Sequence, residues 1–338
     1  MLLRIAFVGF RHGHIFALHR LLKRHPEAEI VAVCEEDDES RAKLAADGLV
    51  ATHDSYAAML ADVDCDAVAC GDYFGVRGAR VIAALEAGKH VLCDKPLCTN
   101  LAELETIERL ATQRGLSVGL MLGLPDMAPY MTLRELIVRG DVGEVHTVTF
   151  LAQHPLNSSR RGGWFFDHAT HGGTLNDIAI HAIDMVPWLT GQPVAEVTAA
   201  RAWNARLPEH PTFQDGGMLM LKLANGAGVI GDVSYLAPDK QGYELDPYWR
   251  VTVGGDDGTL ETAINQEYVS YWSMGGMEGV QIPLQGVRPG AYFDDFRAEI
   301  MGASNQLGYT TARVIAGTRV ALKAQQAADT STFPVTVT

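Results

Sequence analysis

The sequence predicts an α/β protein: an N-terminal doubly wound parallel sheet, then an α+β domain on a large, mainly antiparallel open sheet. Three observations carry this. The first 120 or so residues alternate apolar strand-like runs with helical stretches, the pattern of a parallel sheet with helices on both faces. Beyond residue 123 come long alternating or apolar strand candidates, separated by Gly- and Asn-containing turns. The chain of 338 residues is too long for one small domain and suggests two, 1–122 and 123–338.

Each element has its own signal. "RIAFVG" is an apolar strand, and "GHIFALHRLLKRHP" is a helix with Ile15, Leu18, Leu21 and Leu22 on one face. "EIVAVC" (29–34) is a second strand, followed by the helix "ESRAKLAADG" closed by Gly48. "DAVACG" is a strand, and "VRGARVIAALEAG" a helix ending at Gly88. "KHVLCDKP" (89–96) is a strand and its turn, "NLAELETIERLATQRG" a helix, and "LSVGLML" a strand. In the second half, "GEVHTVTFLAQH", "AEVTAARAW", "GMLMLKLANGAGVIGDVSYL" and "WRVTVGGDDGTLETAI" are strands. Helices are expected at 126–139, 172–189 and 309–327.

Composition excludes several classes. Apolar residues make up 47% and charged residues 20%, enough for a sizeable core and against wholesale disorder. The formal net charge of −14, without a basic run, disfavours a nucleic-acid surface. No stretch reaches the roughly 18 apolar residues of a membrane span. "MLLRIAFVGF" lacks a basic leader and a cleavage site, so it reads as a first strand. Cys34, Cys65, Cys70, Cys93 and Cys98 match no zinc or CxxC spacing; reduced, mostly buried thiols in a cytoplasmic protein fit them.

The loop "GFRHGHIF" (9–16) follows strand one and opens a helix. That is where a Rossmann dinucleotide loop sits, yet Arg11 and His14 stand where glycines are usual. Three readings apply. A zinc site from His12 and His14 lacks a third ligand nearby in sequence. An ordinary exposed turn needs nothing special. A variant phosphate loop uses Gly9 for the turn, Gly13 for close approach and Arg11 for charge beside the helix N-terminus. Glu35 ends strand two, 26 positions after Gly9, near the spacing at which a carboxylate accepts from ribose hydroxyls. The following "EEDDE" repels a 2′-phosphate, which favours NAD over NADP; otherwise it is a solvated turn.

Lys95 lies just past a buried strand, at the carboxyl edge where doubly wound sheets bind ligands. Pro96 restricts its backbone. A lysine there can hold a substrate hydroxyl; a surface lysine in a Pro turn is the plainer meaning. "LNDIAIHAIDMVPWL" reads as a buried helix, apolar almost all round. Its exceptions, Asp177, His181 and Asp184, are spaced i, i+4, i+7 and line one face. Buried charges are expensive unless paired or used, so this stripe is either a structural Asp–His pair or a working site.

The stretch "AALEAGKHVLCDKPL" resembles the signature of the glucose–fructose oxidoreductase and inositol dehydrogenase (Gfo/Idh/MocA) family, with Asp94 in place of the usual glutamate. The resemblance extends to "GDVGEVHTV" (140–148) and "GGTLNDIAIHAIDMVPWLTG" (172–191), and so over nearly the whole chain. It implies NAD and a catalytic set of Lys95, Asp177 and His181. Lys95 would contact the reacting hydroxyl and the nicotinamide ribose. Asp177 would help bind substrate and couple to the histidine, and His181 would be the general acid/base. Cofactor contacts are expected from Gly9, Arg11, His12, Gly13, His14, Glu35, Asp72, Asp94, Lys95 and Pro96. The chain departs from the family in the glycine-poor loop, in "GLPDMAP" without the arginine often found there, and in "VACGDY" (68–73) where Thr-Pro-Asn is usual.

"SSRRGGWFFDHATHGG" adds Arg160, Arg161, Trp164, His168 and His171 near the stripe. Trp164 would wall a sugar-like ring and His168 or His171 would hydrogen-bond substrate, or they serve packing and surface. No metal is expected. The implied function is hydride transfer between NAD and a hydroxyl or carbonyl of a sugar, polyol or cyclitol-like substrate. Two alternatives remain: a glycosidase that uses tightly bound NAD by transient oxidation, and a non-catalytic NAD-binding sensor. The strands between 215 and 273 are apolar on both faces, which suggests a homodimer or homotetramer through the C-terminal sheet.

Overall fold

A computed structural model describes residues 2–46 and 48–337. The chain divides into two compact units, Met1–Met121 with Tyr292–Ile315, and Leu122–Ala291 with Ala316–Thr338.

The first unit runs β1 (Leu3–Val8), α1 (His14–Leu22), β2 (Ala28–Cys34), α2 (Asp38–Ala46), α3 (Tyr56–Asp62) and β3 (Ala67–Cys70). It continues with α4 (Phe74–Glu86), β4 (His90–Cys93), α5 (Leu101–Arg114) and β5 (Val118–Leu120). The five strands are all parallel, in the order β2-β1-β3-β4-β5. That order reverses between β1 and β3, so the loops leaving these two strands flank a topological switch point, the usual ligand crevice of such sheets. The strands read as continuous apolar runs because helices cover both faces: every residue of β3 is buried. All five cysteines are buried thiols.

Sequence reasoning does not foresee α3, whose start is capped by the Ser55 hydroxyl accepting from the Ala58 N–H at 3.3 Å. Nor does it assign the segment after residue 291 to the first domain. Phe293 and Phe296 enter the core formed by Leu3, Ile5, Phe7 and Leu92. Gly119 makes the room, since a Cβ there would stand 2.9 Å from the Phe296 ring. The boundary expected near 122 therefore omits a late return of the chain, which a reading in chain order does not detect.

The second unit holds α6 (Ala128–Arg139), β6 (Val145–Pro155), the single turn α7 (His168–His171), a π-helical turn Leu175–Ala179 and α8 (Ile180–Thr190). Next come β7 (Val194–Trp203), β8 (Gly216–Leu223), β9 (Gly228–Ala237), β10 (Arg250–Gly255), β11 (Gly258–Thr262), β12 (Tyr268–Ser273) and β13 (Val280–Pro283). Helices α9 (Ala291–Ile300) and α10 (Thr311–Thr330) straddle the unit boundaries, and β14 (Val335–Thr336) ends the described chain. The nine strands lie in the order β13-β12-β11-β10-β6-β9-β8-β7-β14. Among the described residues only β6 and β9 pair in parallel in this sheet, so it is mainly antiparallel as expected. Alternation along β8 buries Leu219, Leu221 and Leu223 and exposes Met218 and Met220, with Ile230 of β9 beside them. Among the described residues no helix is long and apolar enough to cross a membrane.

Two glycines set the crevice edge of the first sheet. Gly9 has φ +76°, and a Cβ there would lie 2.5 Å from the Asp72 Cβ. A Cβ on Gly71 would lie 2.3 Å from the Gly9 carbonyl oxygen, a backbone atom that cannot turn aside. Gly71→Ala should therefore force the two loops apart and destabilise the protein by about 1–3 kcal/mol. Urea unfolding measures it; a loss too small to resolve would mean the loops are not packed this closely.

Candidate functional site

In the first unit the β1–α1 loop is held from below by one carboxylate. Asp94 follows β4 directly and is 0% exposed. Its Oδ2 lies 2.7 Å from an Arg77 nitrogen and 2.5 Å from His12 Nδ1, and its Oδ1 lies 3.1 Å from His14 Nδ1. Burial alone would push the Asp94 carboxyl up. Arg77 and the two imidazoles outweigh it and hold it well below the usual carboxylate range. Burial drives His12 down to about 3, against the pull of Asp94, so His12 is neutral near pH 7. Its Nδ1–H then donates to the carboxylate.

Arg77 uses all five of its donors on this edge. Nε donates to the Gly71 carbonyl at 2.9 Å. The remaining donors serve the carbonyls of Asp72 (3.1 Å), Pro96 (3.3 Å) and Lys95, and Asp94 itself. A signal for Arg77 exists in the sequence: it falls on the apolar stripe of α4 with Val81, Ala84 and Leu85, where a charge needs a buried partner.

This arrangement changes two expectations. Asp94 was expected among the cofactor contacts; fully enclosed and engaged on both oxygens, it supports the loop instead. It is also the third group missing from the zinc reading, since the ligand atoms of His12, His14 and Asp94 lie within 4.8 Å of one another. Its charge is already balanced by Arg77, and a cation there would meet that guanidinium. The residues fit a hydrogen-bonded cradle better than a metal centre.

The loop above the cradle is open. Gly13 caps α1 without a side-chain hydrogen bond, and a Cβ on it would meet nothing within 4 Å. The first N–H groups of α1 thus point to a place an anion can reach. His14 opens α1 with its side chain half exposed. Glu35, buried at the end of β2, accepts from the Phe10 N–H at 2.6 Å and the Asp37 N–H at 3.0 Å. Burial raises its pKa, and these two hydrogen bonds oppose the rise. Arg11, two residues before the Gly13 cap of α1, is engaged by carboxylates. It reaches Asp72 at 3.4 Å and Glu35 at 3.9 Å, and stacks on Tyr73 at 5.1 Å. Asp72 is buried with φ +71°, its N–H donating to the Gly9 carbonyl at 3.0 Å. Lys95 is buried with its ammonium 5.5 Å from the Phe74 ring centre, and precedes a cis bond to Pro96.

In the second unit the expected ionisable helix begins as the π turn, and α8 follows from Ile180. The wider π turn changes the register between Asp177 and His181, so simple i, i+4 stacking does not describe them. Asp177 is 3% exposed, and its Oδ2 accepts from the Tyr235 hydroxyl of β9. His171 Nε2 stands 3.2 Å from that hydroxyl and 3.6 Å from the same carboxylate oxygen. With the tyrosine proton given to Asp177, the imidazole donates to the tyrosine oxygen. Tyr235 is missed by sequence reasoning, although period-two burial of Val229, Gly231, Val233 and Tyr235 puts it on the inward face.

His181 is half-buried, its ring edge-on to Trp249 at 5.5 Å. Trp249 has φ +53°, a strained backbone for a bulky residue, and its carbonyl accepts from the Tyr130 hydroxyl at 2.6 Å. His154 lies 5.7 Å from the same indole and 3.1 Å from the Tyr248 hydroxyl. Trp164 packs on Phe165 at 5.5 Å, within its own loop. His168 pairs with Asp329 of α10 at 3.3 Å. Lys95 belongs to the first unit, and Asp177 and His181 to the second.

Two family models match the chain: "Oxidoreductase family, NAD-binding Rossmann fold" over residues 3–121, and "GFO/IDH/MocA C-terminal domain" over 130–261. Inositol 2-dehydrogenase 3 of Saccharopolyspora erythraea is 29% identical over 268 residues, covering 77% of this chain and 73% of that protein. Inositol 2-dehydrogenase/D-chiro-inositol 3-dehydrogenase of Lactiplantibacillus plantarum is 26% identical over 278 residues, 78% of this chain and 73% of that protein. A solved oxidoreductase structure from Erwinia carotovora superposes with a TM-score of 0.85 at 26% identity, covering 96% of this chain and 98% of that one.

The His168–Asp329 contact makes a pH prediction. Its hydrogen bond to Asp329 raises the His168 pKa, against partial burial. A histidine raised on folding adds stability that is full below its unfolded pKa and fades as pH rises through the folded one. The stability gap between wild type and His168→Gln should therefore narrow from pH 6 to pH 8.5 in urea titrations. A gap independent of pH would mean the pair is not ionic.

Proposed function

Because the chain belongs to the GFO/IDH/MocA oxidoreductase family, we propose that it is an NAD-dependent dehydrogenase acting on a hydroxyl of a sugar, polyol or cyclitol-like substrate, or reducing the matching carbonyl. The observation that carries this reading is the β1–α1 loop, open at Gly13 before an uncapped helix N-terminus, with the Glu35 carboxylate fixed at the neighbouring strand end. Those residues fit a dinucleotide. The α1 N–H groups would take the pyrophosphate, and Glu35, whose oxygens keep further lone pairs, would take ribose hydroxyls.

NAD is favoured over NADP by the neighbouring charges. Arg80 pairs with Glu36, and Arg41 with Asp38 and the Glu35 carbonyl. These cations are committed to carboxylates, so a 2′-phosphate would meet net negative charge.

A bound nicotinamide would supply the hydride acceptor, leaving alignment and proton transfer to the protein. In oxidation His181 would take the hydroxyl proton, and Lys95 would hold the reacting oxygen. Asp177, fixed by Tyr235 and His171, would bind and orient substrate. The substrate class rests on the names of the inositol dehydrogenase relatives. Self-association through the open sheet face is supported by exposed Met218, Met220 and Ile230.

The test is a screen of cyclitols, polyols and sugars with NAD, followed at 340 nm. A substrate should emerge, and His181→Asn should lower kcat by about 100-fold or more while NADH affinity stays within roughly twofold. Turnover by the variant within a few-fold of wild type would remove His181 from the acid/base role.

A further inference from the structure

The π turn that carries Asp177 is fastened from outside. Its entry runs through Gly172 and Gly173, at φ +78° and +88°. A Cβ on Gly173 would fall 2.1 Å from the Gln325 side-chain carbon, so the α10 amide sits directly on this backbone. Gln325 is buried, and its Oε1 accepts from the Leu175 N–H at 2.9 Å. Its Nε2 donates to Gln214 Oε1 at 2.8 Å and to Asp329 Oδ1 at 3.0 Å. Gln214 in turn donates to Asp329 at 2.8 Å, and its carbonyl accepts from the Thr174 hydroxyl. The Asp177 N–H donates back to the Gly173 carbonyl at 3.1 Å.

The amide can face only one way. Asp329 accepts and cannot donate, so Nε2 turns to it and Oε1 is left for Leu175. An N–H at the start of a helix needs an acceptor from elsewhere, and here a side chain 150 positions away supplies it. π turns inside helices often mark functional sites. Neither Gln325, Gln214 nor Asp329 has a part in the chemistry proposed above.

We propose that Gln325, oriented by Gln214 and Asp329, is a positioning residue that sets the π turn and thereby the placement of Asp177. The inference rests on the role proposed for Asp177. His168, tied to the far oxygen of Asp329, anchors the outer end of the same network.

The experiment compares wild type with Gln325→Met, which keeps length and loses both hydrogen-bonding ends. Two readouts are taken: amide hydrogen exchange along 173–190, and steady-state kinetics with whichever substrate the screen identifies. Exchange at Leu175 and Asp177 should quicken by about tenfold, with Met185–Leu189 unchanged. The kcat should fall by about tenfold, with KM for NAD within roughly twofold. Gln325→Glu should behave alike, since it sets two carboxylates together. Adding Asp329→Asn should restore it by returning a donor to the pair. Unchanged exchange at Leu175 and Asp177 would overturn the proposal. So would altered exchange with kcat within twofold of wild type, because the amide would then serve stability alone. If Gln325→Met does not fold, Asp329→Ala at the exposed end should shift exchange and kcat in the same directions; no shift overturns the proposal. If wild type turns over nothing in the screen, the proposed function fails on that result, and exchange still decides whether Gln325 sets the turn.

Discussion

The crevice edge of the first unit depends on burying one carboxylate. Asp94 is fully buried, and Arg77, His12 and His14 stabilise its charge. Satisfying Asp94 fixes the loop after β1, and satisfying Arg77 fixes the loops after β3 and β4. Removing either partner would leave an uncompensated buried charge, a loss of about 3–5 kcal/mol. The pair therefore specifies geometry more than it adds stability. Imidazoles tied to that carboxylate fix the backbone beside Gly13 in a loop with two of the usual glycines missing.

The second unit solves a comparable problem differently. Asp177 is buried, and a tyrosine hydroxyl and an imidazole meet its Oδ2. Its backbone departs from regular α-helix, and amide and carboxylate side chains from β8's approach and from α10 hold that departure in place. The strained φ of Trp249, clamped by Tyr130, is a second local irregularity next to His181. Irregular backbone persists only where surroundings over-determine it, and both instances here flank the ionisable residues.

Much of this was legible in the sequence. Period and punctuation placed β1 to β5 and the switch to alternating strands after residue 123. Charge against an apolar background marked Asp177 and His181. What escaped is long-range. The return of Phe293 and Phe296 to the first core, the reach of Arg77 to Asp94, and the bond from Gln325 to Leu175 join residues that local periodicity does not connect. The π turn escaped because this stretch is buried almost all round, so a shift of register leaves no mark on its apolar pattern. Asp94 was noticed as a departure from a family signature, but its partners were needed to see that it supports the loop from beneath.

The most direct measurement is a fluorescence titration of the protein with NADH and, separately, with NADPH. The proposed cofactor site predicts saturable NADH binding and at least about tenfold weaker NADPH binding, because Glu35 would accept ribose hydroxyls and the carboxylates around it would repel a 2′-phosphate. Binding of neither nucleotide would contradict it: the imidazole-supported loop would then not be a phosphate site, and the cradle around Asp94 would serve the fold alone.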